Sequence, residues 1–362
     1  MKIGIMSMQR VRNYGSFLQA YGLKKTIEAL GHEVVFVDYR FEKELVHNER
    51  SLYQKIVNNL NVFKYLKKKQ TQKKYDERFD NEFLPFLCGK KKNYVPKDIE
   101  LLVIGSDEVF NCLQPYPVGY SRELFGKGYE NIPVISYAAC FGQTNYDRLK
   151  EYGISEEVSE LLKKFKAISV RDDNSYETVK KLTGIEATMN LDPVLVSDFS
   201  DEMIDNVEIK DYIVVYAYPE RLTAEEKKEI KKFAKKHNKM IVSFGMFQDI
   251  SDMEIVVNPF EIFAYFKHAD FIITDTFHGS IFSIKTHSNF CAVVRGNTIG
   301  NSNKLADLLG RLEISGCILS DIHELEDRYL GKIDYDEADK IMAQEKANTN
   351  TFLKRNLKSE KE

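Results

Sequence analysis

Short apolar runs alternate with amphipathic segments at the start of the chain. KIGIMSM at residues 2–8 predicts a strand, SFLQAYGLKKTIEALG at residues 16–31 predicts a helix, and EVVFVDY at residues 33–39 predicts the next strand. A strand–helix–strand order with short connections is typical of a parallel sheet with right-handed crossovers. Ligands of such sheets bind beyond the carboxyl ends of the strands, where the loop QRVRNYGS at residues 9–16 lies.

The same alternation returns after a polar stretch and continues through the second half. Further strands are predicted at IELLVIGSDEVFN (99–111), VISYAACFG (134–142), DYIVVYAY (211–218), KMIVSFG (239–245) and DFIITD (270–275), with helical patterns between them. This order predicts an α/β fold in which two Rossmann-like domains carry parallel sheets that face one another across a cleft.

Changes in composition mark the predicted domain boundaries. Residues 1–190 are expected to form an N-terminal Rossmann-like domain with a helical, basic insertion at about 41–97. Residues 191–335 are expected to form a C-terminal Rossmann-like domain, and residues 336–362 a charged helix. The length of 362 residues agrees with two domains, because a single hydrophobic core rarely grows that large.

Composition and charge narrow the class of protein. Hydrophobic residues make up 43% of the chain and charged residues 30%, which is typical of a soluble globular protein. The net charge of −3 gives no general attraction to nucleic acid. No signal peptide and no apolar run of about 20 residues is apparent, so the expected location is the cytoplasm. The five cysteines lack CxxC spacing and histidine partners, so reduced thiols and no metal are expected.

The most basic stretch of the chain is KYLKKKQTQKK at residues 64–74. A run of this kind usually forms the solvated face of a helix. The alternative is a site for anionic lipid head groups or an acidic acceptor, which would bring the protein to the inner face of the membrane as a peripheral contact.

The turn DTFHGS at residues 275–280 follows the apolar strand FIIT and precedes a helical pattern. His278, Gly279 and Ser280 are therefore predicted where a strand passes into a helix. The first amides of a helix have no internal partner and carry the positive end of its dipole, so this position favours a phosphate or carboxylate. Gly279 allows a ligand to approach the backbone closely. The alternative is a capping turn whose histidine only packs or forms a hydrogen bond.

Two more turns that follow predicted strands contain small and polar residues. Asn13-Tyr14-Gly15-Ser16 precedes the first helix, and Ser16 is predicted as its N-cap. Gly105-Ser106-Asp107 combines a flexible backbone with a hydroxyl and a carboxylate. The competing interpretation of the second turn is a tight turn in which the aspartate binds its own backbone.

Arg171 follows the strand-like AISV and places a guanidinium at a strand end. A guanidinium there can bind a carboxylate or phosphate through two hydrogen bonds, although a surface ion pair with Asp172 or Asp173 is the alternative. Arg171 and His278 come from different halves, and we expect them to face one small, multiply charged anion across the cleft. The chain contains no GxGxxG, GxxxxGK[ST], GxSxG or HExxH motif.

Seven blocks in order make the chain resemble the polysaccharide pyruvyl transferases. These are NYGSFLQAYGL, VVFVDYR, VIGSDEVFN, ISYAACFG, ISVRDDNS, LDPVL and DTFHGSIFS, and the resemblance extends from about Asn13 to Leu309. Two departures are visible. Phe110 stands where the family often has Trp, and Asn303 ends a stretch where the family often has Arg, a role that Lys304 or Arg311 would have to fill.

The resemblance implies a GT-B-like fold and transfer of pyruvate from phosphoenolpyruvate to a saccharide as a cyclic ketal. It places the donor at Arg171 and His278 and implies no cofactor. An acid such as Asp107 or Asp275 would assist the sugar hydroxyls. Substrate-binding residues are expected in the turns already described: Asn13, Tyr14, Gly15, Ser16, Gly105, Ser106, Gly279 and Ser280. A GT-B glycosyltransferase that uses a nucleotide sugar, or an inactive carbohydrate-binding relative, is the alternative.

Overall fold

The computed structural model describes residues 1–46, 62–114, 118–245, 247–295 and 302–358. Within them lie two six-stranded sheets, and each strand in them pairs in parallel with its neighbours. The predicted α/β class with two Rossmann-like sheets is confirmed. The chain divides into two compact units, which comprise the described residues within Met1–Asn48, Leu84–Asp198 and Ile341–Glu362 and within Glu49–Phe83 and Phe199–Lys340. The domain boundaries expected at residues 190 and 335 stay predictions.

The first unit contains a sheet with the strand order β2-β1-β3-β4-β5-β6. Its strands are β1 (Lys2–Met6), β2 (Glu33–Phe36), β3 (Leu101–Asp107), β4 (Val134–Ala139), β5 (Ser169–Val170) and β6 (Thr188–Met189). The strands β3 and β4 are buried along their whole length, which explains their continuous apolar sequence.

The second unit contains a sheet with the order β12-β11-β10-β7-β8-β9. Its strands are β7 (Tyr212–Tyr216), β8 (Met240–Phe244), β9 (Met253–Ile255), β10 (Phe271–Thr274), β11 (Phe290–Val293) and β12 (Ile318–Leu319). β7, β10 and β11 are fully buried. Ile213, Ile273 and Cys291 of these strands belong to the hydrophobic core of the unit.

Helices connect the strands. They are α1 (Tyr14–Glu28), α2 (Val62–Arg78), α3 (Leu84–Cys88), α4 (Tyr146–Glu151), α5 (Ser155–Leu162), α6 (Asp173–Thr183), α7 (Pro193–Val196), α8 (Ala224–Lys236), α9 (Ile262–Lys267), α10 (Phe277–Lys285), α11 (Ser302–Arg311), α12 (Leu325–Leu330) and α13 (Asp336–Asn356). A π-helical turn at Phe79–Phe83 joins α2 to α3, and 3₁₀ turns lie at Arg122–Phe125, Ser315–Cys317 and Ile322–Glu324. Among the described residues, none of the helices has the length and apolar character that crossing a bilayer requires.

Each sheet has one point where the strand order reverses. In the first sheet β1 is followed by β2 on one side and by β3 on the other, so the reversal lies between β1 and β3. In the second sheet β7 is followed by β8 on one side and by β10 on the other, so the reversal lies between β7 and β10. Loops beyond the carboxyl ends of strands diverge at such a point and leave a crevice where ligands of α/β proteins bind. The turns predicted from sequence at Asn13–Ser16, at Gly105–Asp107 and at residues 275–280 all lie beside these two points.

Candidate functional site

The first turn of α1 lies beyond the carboxyl end of β1. The side chain of Asn13 accepts hydrogen bonds from the backbone N–H groups of Gly15 at 2.7 Å and Ser16 at 3.3 Å. Asn13 has extended backbone dihedral angles and is therefore the N-cap, so the prediction that Ser16 caps this helix is wrong. Tyr14 and Gly15 are buried in the first turn.

Ser16 instead connects α1 to the end of β3. Its hydroxyl donates a hydrogen bond to Asp107 Oδ2 at 2.8 Å. The other carboxylate oxygen, Oδ1, accepts from the backbone N–H of Glu108 at 3.0 Å and from Arg171 Nη2 at 3.2 Å. Asp107 has a φ of 73°, a left-handed conformation that L-residues rarely adopt. The carboxylate is thus held in one position at the reversal point of the first sheet.

Arg171 is almost fully buried, with 5% of its surface exposed. Besides Asp107, its guanidinium contacts Asp192, to which Nη1 donates at 2.7 Å. The surface ion pair considered from sequence is therefore wrong. Burial alone lowers the pKa of Arg171, but Cys140, the two paired aspartates and Asp172 outweigh burial, and the pKa is raised overall. Arg171 is charged at any working pH and fixes two carboxylates that the unit buries.

Gly105 and Ser106 determine the local structure at the end of β3 through packing and backbone hydrogen bonds. Gly105 has a φ of 129°, and a side chain there would overlap with the carbonyl group of Tyr137 on β4. The carbonyl of Ser106 accepts a hydrogen bond from the hydroxyl of Ser7 at 3.1 Å. The Ser106 hydroxyl is buried and has no hydrogen-bond partner in the part of the chain that the structure describes. A buried hydroxyl without a partner is costly in a folded protein, and it marks this strand end as unusual.

The turn at residues 275–280 has the predicted strand-to-helix geometry. β10 ends at Thr274 and α10 begins at Phe277, with Thr276 as the N-cap whose hydroxyl accepts from the backbone N–H of Gly279 at 2.9 Å. His278 therefore lies in the first turn of a nine-residue helix. At Gly279 a methyl group would overlap with the hydroxyls of Thr274 and Thr276. Packing within the unit thus requires glycine at this position. The sequence alone explains Gly279 only by the close approach of a ligand.

His278 is half-buried and lies beside two aromatic rings. Its ring centroid lies 5.7 Å from that of Phe277 and 6.2 Å from that of Phe282. Ser280, in the same turn, is fully buried, and its backbone N–H donates to the Thr276 carbonyl at 3.2 Å. The rings fix the position of the imidazole at the positive end of α10.

Asp275 lies between three strand ends of the second unit. Its Oδ1 accepts from the backbone N–H of Tyr218, after β7, at 3.0 Å. Its Oδ2 lies 3.0 Å from Nη1 of Arg295, after β11, and 3.7 Å from Nε of Arg221, after β7. Burial raises the pKa of Asp275, while the two arginines and the Tyr218 amide act in the opposite direction. The reversal point of this sheet therefore combines a buried carboxyl group, two guanidinium groups and a helix N-terminus.

Arg221 and Arg295 were not predicted from the sequence. Each arginine follows an apolar strand by a few residues, in YIVVYAYPER and in FCAVVR. This position after a strand is the sequence feature that could have identified them as site residues. Lys304 and Arg311, considered from sequence as late basic ligand contacts, lie in α11, and Lys304 is buried there. Their contact with a ligand stays a prediction.

Comparisons with solved structures concern the fold. The UDP-GlcNAc 2-epimerase of Methanocaldococcus jannaschii, in complex with UDP-GlcNAc and UDP, is 12% identical, with a TM-score of 0.50 over 95% of this chain and 99% of the epimerase. A "glycotransferase of kitacinnamycin" is 10% identical, with a TM-score of 0.48 over 98% of both chains. The spinosyn rhamnosyltransferase SpnG is 12% identical, with a TM-score of 0.47 over 99% of this chain and 100% of SpnG. At these identities the likeness to the epimerase shows a shared fold and nothing about substrates.

Sequence comparison identifies the family. No curated protein is similar enough in sequence to match the chain. The model of the polysaccharide pyruvyl transferases matches residues 13–297, a range that includes the Asn13 cap, the Arg171 ion pairs and the His278 turn. The chain therefore belongs to the polysaccharide pyruvyl transferases, a family of transferases.

Proposed function

We propose that this protein transfers pyruvate from phosphoenolpyruvate to two hydroxyls of one sugar, in a surface polysaccharide or its lipid-linked precursor, and forms a pyruvate ketal. One proton is added to the donor's methylene carbon, two C–O bonds form at its central carbon, and the C–O bond to the phosphoryl group breaks. Of the two protons that the hydroxyls lose, one balances the proton added to carbon and the other leaves with inorganic phosphate. The reaction needs an acid, a base and a site for a strongly anionic donor.

One observation carries the donor assignment: His278 occupies the first turn of α10 at the reversal point of the second sheet, where Arg221 and Arg295 also lie. Phosphoenolpyruvate carries a phosphoryl group and a carboxylate on a three-carbon skeleton. Guanidinium groups and a helix N-terminus are the groups that bind such oxyanions in proteins. An imidazole at this position can donate a hydrogen bond to the phosphoryl group and can carry a proton.

The remaining roles follow from the environment of each carboxyl group. Burial raises the pKa of Asp275 above its usual value, against the opposing effects of Arg221, the Tyr218 amide and Arg295, and so moves this carboxyl group toward the range in which it can act as an acid. Asp107 is held by Ser16 and Arg171 at the reversal point of the first sheet, so its carboxylate is the positioned group that we assign as the base for the acceptor hydroxyls. In this proposal Arg171 acts mainly by positioning Asp107, and the turns at Asn13–Ser16 and Gly105–Ser106 contribute to substrate binding.

The experiment is phosphate release from phosphoenolpyruvate by the purified full chain, measured across a panel of free and lipid-linked oligosaccharides. We expect release with at least one acceptor, and no release by His278→Ala. The matched control is His287→Ala, because His287 is exposed just beyond α10 and pairs with Asp339 at 2.9 Å. Calorimetry that detects binding of a nucleotide sugar but not of phosphoenolpyruvate would instead favour a glycosyltransferase. Full activity of both His278→Ala and Arg171→Ala would remove the residue assignments.

The lysine-rich helix α2 supports a lipid-linked acceptor and a peripheral contact with the inner face of the membrane. Lys67, Lys69 and Lys74 of this helix are exposed, whereas Tyr75 is buried. Each lysine near an anionic lipid surface contributes about 1 kcal/mol of binding free energy. We expect binding to phosphatidylglycerol vesicles, but not to phosphatidylcholine vesicles, and loss of binding when these three lysines become glutamine.

A matched triple variant tests whether vesicle binding depends on the lysines of α2 or only on the net charge of the protein. Three exposed lysines of α8, Lys228, Lys231 and Lys235, recur at helical spacing in the same unit. Their replacement by glutamine changes the net charge equally and should leave vesicle binding intact. Vesicle binding that survives the α2 substitutions, or that both triple variants lose equally, would refute the membrane contact.

A further inference from the structure

Arg221 lies in the loop that connects β7 to α8, beside the reversal point of the second sheet. The backbone N–H of Tyr218 in this loop donates to Asp275, which holds the loop against the strand end that precedes His278. The guanidinium carbon of Arg221 lies 4.5 Å from the centroid of the Tyr218 ring. The stack fixes the plane of the guanidinium group at the carboxyl edge of the sheet.

The two arginines at this edge use their donors differently. Arg295 donates two hydrogen bonds to Glu226, at 3.2 and 2.8 Å, and one to Asp275 at 3.0 Å. Arg221 has only the 3.7 Å ion pair with Asp275, a distance too long for a hydrogen bond, and its side chain donates none within the described ranges. A guanidinium group carries five N–H donors. Arg295 is thus committed to the protein, whereas the Arg221 donors are available to a ligand.

The backbone before Arg221 is held in an unfavourable conformation. Glu220 has a φ of 65°, in the left-handed region that non-glycine residues avoid. Its carboxylate accepts from Lys68 Nζ of α2 at 2.7 Å. Backbone strain of this kind concentrates where a protein positions a functional group. The next residue after this turn is Arg221, whose side chain is 21% exposed.

We propose that Arg221 binds the phosphoryl group of the donor and the inorganic phosphate that leaves, next to His278; this rests on the proposed function. A phosphoryl group offers three terminal oxygens, so a guanidinium group, an imidazole and the first amides of α10 can bind it together, whereas a carboxylate offers only two. Arg295 already donates to Asp275 and Glu226, so Arg221, which among the described residues has only the long ion pair with Asp275, is the arginine whose N–H donors a bound dianion can use.

The test compares Arg221→Ala, Arg221→Lys and the wild-type full chain by calorimetry with three probes: phosphoenolpyruvate, inorganic phosphate and pyruvate. Loss of a hydrogen-bonded charge pair predicts about 10- to 100-fold weaker binding of phosphoenolpyruvate and of phosphate by Arg221→Ala. Arg221→Lys should be intermediate, because it keeps the charge and loses the two-pronged geometry. Binding of pyruvate should not change, and KM for the donor should rise more than kcat falls.

The control is Arg328→Ala. Arg328 lies in the same unit but against the outermost strand β12, where its Nε donates to the carbonyl of Ile318, and β12 is separated from β7 by β11 and β10. This variant should bind all three probes like the wild type. Circular dichroism and the urea midpoint establish that each variant is folded, and Arg221→Lys carries the test if Arg221→Ala does not fold.

The outcomes separate the inference from the proposed function. If Arg221→Ala and Arg221→Lys bind phosphate like the wild type while His278→Ala does not, the assignment of Arg221 is wrong and the proposed function stands. If the variants no longer bind pyruvate but still bind phosphate, Arg221 binds the carboxylate of the donor, and the inference is equally overturned. If the wild type binds phosphate through Arg221 but not phosphoenolpyruvate, the proposed donor is wrong and the anion site is supported.

Discussion

Arg171 and Asp192 form a buried ion pair in the first unit, with 2.7 Å between Nη1 and Oδ2. The side chain of Arg171 is 2% exposed and that of Asp192 is not exposed at all. Removing one partner of such a pair leaves an uncompensated charge in the interior. The pair is therefore expected to govern stability as well as the position of Asp107, the second partner of Arg171.

Arg171→Ala should lower the free energy of unfolding by about 3–5 kcal/mol. Urea denaturation of the full chain, followed by circular dichroism, measures the change. Arg148→Ala is the control, since Arg148 is 45% exposed and its pair with Glu151 should contribute less than about 1 kcal/mol. A stability of Arg171→Ala equal to that of Arg148→Ala would contradict this assignment. Activity lost in Arg171→Ala has to be compared with this loss of stability before a ligand contact is inferred.

Local patterns explain why much of the fold was predictable. Period-two and period-3.6 spacing of apolar residues is a property of short segments, so β1, α1 and the passage from β10 into α10 followed from the sequence. The partners of Arg171 did not, because Asp192 and Asp107 lie 21 and 64 residues away in the chain. From the local sequence, Asp172 and Asp173 were the ion-pair partners considered for Arg171. In the fold, its partners are Asp107 and Asp192, which are distant in the chain.

The same limit applies to the second unit. Asp275 was predicted as a site residue, but Tyr218 and Arg295, which contact it, lie 57 and 20 residues away. The α-helix at residues 62–78 shows the opposite case, since its charged face was visible in the sequence. What the sequence left open was which residues pack against the unit: they include Tyr75 in the helix and Phe79 in the π-helical turn that follows it, and both are buried.

Asn13→Ala should destabilise the first unit by about 1 kcal/mol through loss of the α1 cap. Asn13→Asp should retain most of that stability, because an aspartate accepts the same backbone N–H bonds. Urea denaturation of the two variants and the wild type provides the measurement. If Asn13→Ala had no effect and Ser16→Ala alone frayed the helix, Ser16 would be the cap after all.

Gly279→Ala should destabilise the second unit by about 1–3 kcal/mol, because the added methyl group overlaps with the hydroxyls of Thr274 and Thr276. Gly310→Ala is the control within the same unit. Gly310 lies in α11, where a methyl group would meet Ser315 Oγ at 4.0 Å, an ordinary van der Waals contact, and alanine there should be neutral or stabilising by up to about 1 kcal/mol. Thermal and urea denaturation of both variants would test the difference. Equal effects would show that Gly279 is not required by packing.

Ser16→Ala should reduce activity through Asp107, since the Ser16 hydroxyl is the donor to its Oδ2. The hydrogen bond joins a hydroxyl to a charged group and contributes about 1.5–3 kcal/mol. A double-mutant cycle with Asp107→Asn should show coupling between the two positions. The matched cycle of Asn13→Ala with Asp107→Asn should be additive, because within the described residues the Asn13 side chain bonds the backbone of Gly15 and Ser16 and not Asp107. Additivity in the first cycle would contradict the assigned contact.

Glu254 of β9 should make stability depend on pH in the second unit. Burial raises the pKa of its carboxyl group above the usual 4.5, and the amide of Gln248, the hydroxyl of Ser243 and the charge of Lys67 oppose the shift only in part. A group whose pKa is higher in the folded state stabilises the fold fully below pH 4.5 and loses that contribution as pH rises through its folded-state pKa.

Glu254→Gln should therefore be as stable as the wild type near pH 4 and more stable than the wild type near pH 8. Glutamine keeps an oxygen for the Gln248 N–H, which donates to Glu254 at 2.8 Å, and never ionises. Urea denaturation of both proteins between pH 4 and pH 8 measures the difference. Lys67→Met should widen it, because the lysine charge is one of the groups that favour the ionised carboxylate. Parallel pH profiles would mean that Glu254 ionises in the folded chain as it does in water, and that burial at this end of the sheet imposes no cost on its charge.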